Sequence, residues 1–187
     1  FSDAHPELTH EINVDGAVNI GEAAKAAKAK LLFFSTEQVF NGNESPGPYS
    51  EMDEPVPDTM YGKTKLEAEL LLRQMLEELW IVRFTWMFGL PERGLVVNPN
   101  VLWEAISIAL IGKRRKIPVN EYRGLTWVYH MLENILRVVE LPADTYHIGS
   151  QNGLGRYDVL RHVFNELGIG DRAGELLIPD REKYGDH

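Results

Sequence analysis

Residues 30–36 read KLLFFST: a lysine, four consecutive large apolar side chains and two hydroxyls. The apolar residues do not alternate with polar ones, so the run offers no wet face. At this length it reads as a strand buried on both faces of a parallel sheet. A second run of the same kind, IVRFTWMFG, occupies residues 81–89. Ligands in parallel sheets bind beyond the carboxyl ends of strands. That rule singles out Ser35, Thr36 and Glu37 after the first run, and Thr85, Trp86 and Phe88 in the second.

Working outward, residues 7–29 carry Ile12, Ala17, Ile20, Ala23, Ala24 and Ala27 at helical spacing. The pattern predicts one long helix starting after Pro6. Residues 41–58 (NGNESPGPYSEMDEPVPD) are rich in Gly, Pro, Asn and acids and predict a loop. Asp58 or Thr59 would cap a helix from about Met60 to Leu79, with Leu66, Leu70, Met75, Leu76 and Leu79 as its apolar stripe. Further helices are expected over Asn98–Ile111, Trp127–Glu140 and Tyr157–Leu167, with short strands at RKIPV (115–119) and TYHIG (145–149). Helices alternating with apolar strands predict an α/β fold with a largely parallel sheet.

The chain has 187 residues, enough for one domain or one and a fraction. With 44% hydrophobic and 25% charged residues it has the composition of a folded protein. A net charge of −9 argues against nucleic acid or an anionic membrane as general partner, because like charges repel. There is no cysteine, hence no disulfide or thiolate site, which suits a reducing cytoplasm. No apolar run approaches the ~18 residues that span a bilayer. The six histidines form no H-x-H or H-E-x-x-H pair, so no metal is expected.

Residues 60–65 read MYGKTK. On a helix Tyr61 and Lys65 share a face, which leaves two readings open. One is a helix start with a packed tyrosine and a solvated lysine. The other is an acid–base pair, in which the lysine charge favours the phenolate and lowers a pKa that is ordinarily near 10.

Five stretches in order resemble the extended short-chain dehydrogenase/reductase family, and within it the dTDP-4-dehydrorhamnose reductase branch. HPELTHEINVDGAVNIGEAA (5–24) is similar to its N-V-x-G-x-x-N helix, and FFSTEQVFNG (33–42) to its S-T-D-Y-V-F-x-G strand end. PVPDTMYGKTKLEAE (55–69) is similar to P-x-N-x-Y-G-x-S/T-K-x-x-x-E. IVRFTWMFG resembles I-L-R-x-S-W-V-Y-G, and YHIGS (146–150) resembles Y-H-x-x-G. The resemblance implies a Rossmann-like, doubly wound parallel sheet with a small C-terminal substrate-binding part. Residues 1–90 would be the later half of the cofactor domain. Residues 91–187 would be mostly substrate-binding, with segments around 120–150 returning to the core.

The same resemblance implies roles. Tyr61 would donate the proton, Lys65 would lower its pKa and hold the nicotinamide ribose, and Asn13 would support the lysine. Thr36 would hydrogen-bond the reacting carbonyl. Glu37 and Trp86 would contact the sugar of a nucleotide-sugar substrate, with NADPH or NADH as cofactor. Two departures stand out: Glu37-Gln38 replaces the reductases' Asp-Tyr, and His130 replaces a frequent aspartate. Because Gln38 cannot ionise, it also departs from the T-D-E of the related dehydratases. The basic run Lys113–Lys116, with Arg123 and Arg156, could attract a diphosphate, while GSQNGLG (149–155) reads as a turn.

The family's opening G-x-x-G-x-x-G, which seats the cofactor pyrophosphate, is not in this sequence. The expectation is a fragment of a longer protein whose earlier strands complete the sheet, or a homo-oligomer that covers it. Three functions follow: reduction of a 4-keto nucleotide sugar such as dTDP-4-dehydrorhamnose; a non-catalytic regulatory subunit on the same scaffold, like the methionine adenosyltransferase β subunit; or another sugar-nucleotide epimerase or reductase.

Overall fold

The computed structural model describes residues 1–45, 47–90, 92, 94, 99–150 and 152–183. In chain order its elements begin with α1 (Pro6–His10), α2 (Gly16–Ala27), β1 (Leu31–Thr36), α3 (Met60–Met75), β2 (Leu79–Phe84) and β3 (Trp86–Phe88). They continue with α4 (Val101–Ile111), β4 (Arg115–Pro118), β5 (Leu125–Trp127), α5 (Val128–Asn134), β6 (Thr145–Ile148), α6 (Arg156–Glu166), α7 (Ala173–Leu176) and β7 (Leu177–Asp180). The fold is α/β and every paired strand is parallel to its neighbour.

The chain divides into two compact units. One comprises Phe1–Thr85 with Glu133–Ile148, the other Trp86–Leu132 with Gly149–His187.

The first unit is a sheet of order β1-β2-β6. Leu31 to Thr36 pair in register with Leu79 to Phe84, and Ile81 to Phe84 with Thr145 to Ile148. Beneath it Leu72 of α3 packs against Leu79 and Ile81. The entry helix starts at Pro6, where the missing N–H costs nothing. It ends with Lys28 in the left-handed conformation, φ 51°. Its middle differs from the regular helix expected: Glu11–Asp15 form a π-helical turn between α1 and α2, centred on Asn13.

Two expectations are corrected by this sheet. Phe34 is 48% exposed, so β1 is not buried on both faces; only Ser35 and Thr36 at its carboxyl end are. Its one strand neighbour among the described residues is β2. The helix expected to reach Leu79 stops at Met75, because Leu76 is extended and Leu79 already pairs with Leu31. The apolar spacing of a helix end and of a buried strand run together at that point.

The second run, IVRFTWMFG, does not form one strand. The Thr85 N–H donates to the Ile148 carbonyl at 3.2 Å, and the next N–H, that of Trp86, to the Gly124 carbonyl at 3.1 Å. β2 therefore ends beside β6, and β3 pairs with β5 in a separate two-stranded sheet. In this second unit β4 pairs with β7, and α4 and α6 bury Ala105, Ile108, Leu160 and Phe164 in one core. Asn100 caps α4 by accepting from the Trp103 N–H at 3.1 Å; Asn98, where that helix was expected to start, lies outside the described residues. Trp127, expected in a helix, closes β5, and α5 gives way to a 3-10 helix over Ile135–Glu140. No helix of the described residues is long and apolar enough to cross a membrane.

Candidate active site

Thr36 is the last residue of β1. Its hydroxyl accepts from the Gln38 N–H at 3.2 Å, which starts the 3-10 turn Glu37–Phe40, and donates to Glu37 Oε2 at 3.1 Å. α3 begins just beyond the loop, capped by Thr59, whose hydroxyl accepts from the Gly62 N–H at 3.1 Å. The cap brings Tyr61, in the first turn, to the end of β1, near enough to Thr36 and Glu37 for both side chains to act on its hydroxyl. Thr36, Glu37 and Tyr61 thus meet at one strand end.

The charges there differ from expectation. Burial and the Glu37 carboxylate push the Tyr61 hydroxyl above its ordinary value, and the Thr36 side chain only partly opposes them. Lys65 is not the neighbour that sets this balance. Its ammonium lies over the Phe33 ring, 4.1 Å from the centroid, a cation–π contact. Burial brings Lys65 down to about 8, with Glu69 pulling the other way.

Asn13 does not bond Lys65 directly. Its side-chain N–H donates to the Thr64 hydroxyl at 3.0 Å. Thr64, buried at 1% exposure, in turn donates to the Met60 carbonyl at 3.0 Å and the Tyr61 carbonyl at 3.1 Å. The π-helical turn therefore braces the backbone of the turn that carries Tyr61.

Trp86 belongs to the second unit. Arg123 and Arg156 both lie over its ring, at 5.1 and 5.5 Å. Arg156 is held by Glu104 Oε2 at 2.6 Å and Glu121 Oε2 at 2.9 Å, and Arg123 lies 3.9 Å from Glu121 Oε1. With Leu125 and Asn152 they line a small cavity of about 10 Å³, room for roughly one water molecule and not for a whole ligand. The two arginines expected to attract phosphate are thus already partnered by carboxylates. The basic run 113–116 is exposed along its length.

One buried group was not anticipated. Arg83, inside β2, donates to Glu69 through Nε at 3.0 Å and Nη2 at 2.6 Å, and the Ser35 hydroxyl donates to the same carboxylate. A signal was present: an arginine inside the apolar run IVRFTW must find a buried anion.

An ammonium and a phenol on one face of α3, Lys65 and Tyr61, are groups that could hold the hydroxyls of a cofactor ribose. Residues 2–179 match the family described as RmlD substrate binding domain. The chain belongs to that family. Among relatives of this RmlD substrate-binding-domain chain, dTDP-4-dehydrorhamnose reductase of Aggregatibacter actinomycetemcomitans is 39% identical over 164 residues, covering 84% of this chain and 53% of the relative. Methionine adenosyltransferase 2 subunit beta of Bos taurus is 36% identical over 89 residues, 48% of this chain and 26% of that one. The solved dTDP-4-dehydrorhamnose reductase of Bacillus anthracis, in complex with NADP, shares the fold: TM-score 0.81, 20% identity, covering 100% of this chain and 63% of that structure. The chain spans about half the length, or less, of these curated relatives.

Proposed function

We propose that the protein carrying this chain is an NAD(P)H-dependent reductase of a 4-keto nucleotide sugar, dTDP-4-dehydrorhamnose being the leading substrate, working in the cytoplasm. The contact between Tyr61 and Thr36, with Lys65 on the same helix face, carries this reading. A reduced nicotinamide, when bound, supplies hydride to the carbonyl carbon. Tyr61 gives its phenolic proton to the carbonyl oxygen, and Thr36 hydrogen-bonds that oxygen. A pKa above the ordinary value keeps Tyr61 in the protonated form that reduction needs. Lys65, charged below about pH 8, would hold the ribose and offset the phenolate left behind. Glu37, beside Thr36 and Tyr61, would meet the sugar.

The relatives named dTDP-4-dehydrorhamnose reductase support this substrate class. A regulatory subunit is the second reading, favoured by the local identity to the methionine adenosyltransferase β subunit and by Glu37 standing where it raises Tyr61. The experiment is an NADPH or NADH titration of the intact protein, followed by fluorescence, and then addition of a dTDP-4-keto-6-deoxy sugar. Sugar-dependent oxidation supports the reductase. Cofactor binding with no oxidation of that or related sugar nucleotides would leave the regulatory role.

A further inference from the structure

Glu69 is 1% exposed and carries a charge that the proposed proton transfer does not use. Its carboxylate is committed on both oxygens, Oε1 to Arg83 Nε and the Ser35 hydroxyl, Oε2 to Arg83 Nη2. The three side chains come from α3, β1 and β2, and none is more than 6% exposed. Ser35 immediately precedes Thr36, while Glu69 lies four residues beyond Lys65 and eight beyond Tyr61. Residues at that spacing share a helix face. The clip therefore ties α3 to the strand end along the face that presents Tyr61 to Thr36. Sliding α3 along β1 would pull the buried carboxylate away from its guanidinium, which is strongly disfavoured. Arg83 is itself packed over the Phe40 ring at 5.2 Å.

We propose that Glu69, held by Arg83 and Ser35, is the positioning residue of this site: it locks α3 against the end of β1 and is the counter-anion of the Lys65 ammonium. The proposal rests on the reductase reading above. Among the described residues, Glu69 is the charge that raises Lys65 against its burial. The ionisable groups on the other segments packed against α3 (Asp3, Glu7, His10, Glu11, Asp15, Glu22, Lys25, Glu37 and Arg83) do not shift it.

The test follows Lys65 in the intact protein labelled with ¹³C at lysine Cε, with Lys65→Arg assigning its resonance. Glu69→Gln/Arg83→Met removes both buried charges and leaves neither orphaned. In it the Lys65 titration midpoint is expected to fall by about half a pH unit, roughly threefold in acidity. The alkaline limb of kcat for NADPH-dependent reduction moves down with it, and KM for the sugar nucleotide stays unchanged. An unmoved Lys65 midpoint overturns the counter-anion role. A shifted midpoint with an unmoved kcat limb overturns the link to turnover. Glu69→Asp keeps the charge but shortens its reach; the Lys65 midpoint stays near wild type while kcat falls by about tenfold or more through lost register. Wild-type kcat in that variant overturns the positioning role. If the wild type reduces no nucleotide sugar, the reductase reading fails, while the lysine titration still decides the role of Glu69.

Discussion

Gly62 faces the backbone of Gln38 so closely that a Cβ built on it would lie 2.5 Å from the Gln38 carbonyl oxygen and 3.0 Å from Pro57 Cβ. This close approach is what lets the first turn of α3, and Tyr61 with it, reach the turn that follows Thr36. Helix propensity alone would make Gly62→Ala stabilising by about 1 kcal/mol. The clash with main chain reverses the sign, and we expect a net loss of about 1–3 kcal/mol with reduced turnover. Urea denaturation measures the first; a midpoint at or above wild type would show that the contact is not restrictive.

Tyr61→Phe keeps the ring and removes the proton. Turnover should fall by about 10²–10⁴-fold, the usual worth of a positioned acid, while NADPH affinity stays within a few-fold. Single-turnover oxidation and fluorescence titration separate the two effects. Undiminished turnover removes Tyr61 from the mechanism.

Lys65→Met should make the protein more stable and inactive. Lys65 falls from 10.5 to about 8 on folding, so between those values the unfolded chain binds the extra proton. Wild-type stability therefore rises with pH across that window and is flat below it. At pH 7 the charged lysine costs on the order of 3 kcal/mol (about 2.5 pKa units at 1.36 kcal/mol each). The contact with Phe33 offsets about 0.5–1 of that. The variant's advantage should thus be about 2 kcal/mol at pH 7 and shrink as pH rises from 8 towards 10.5. Denaturant midpoints at several pH values test this; an advantage constant with pH would contradict it.

Arg156→Met should destabilise the second unit by about 3–5 kcal/mol, because it strips Glu104 and Glu121 of their shared cation. Hydrogen exchange should show protection lost in α4 and α6 while α3 keeps its own. Glu104→Gln/Glu121→Gln/Arg156→Met, which leaves neither carboxylate buried without the Arg156 cation, should recover some of the loss. A single variant as stable as wild type would return Arg156 to the role of a free phosphate-binding cation.

Local patterns in the amino-acid sequence determined much of this protein. Apolar runs identified β1 and β2, Asp58 or Thr59 marked the start of α3, and the spacing of Tyr61 and Lys65 put them on one helix face, since each depends on neighbours a few residues away. Tertiary structure alone decided the rest. It split IVRFTWMFG between two sheets, because Thr85 and Trp86 bond to distant carbonyls, at Ile148 and Gly124. It drew Lys65 over Phe33 and left Glu37 and burial to act on Tyr61. It directed Asn13 to Thr64, and it joined Ser35, Glu69 and Arg83 from three elements into one buried clip. Spacing along a chain specifies which side chains share a face; which charge is desolvated, and beside what, depends on residues brought together from far apart, and only the folded packing sets it.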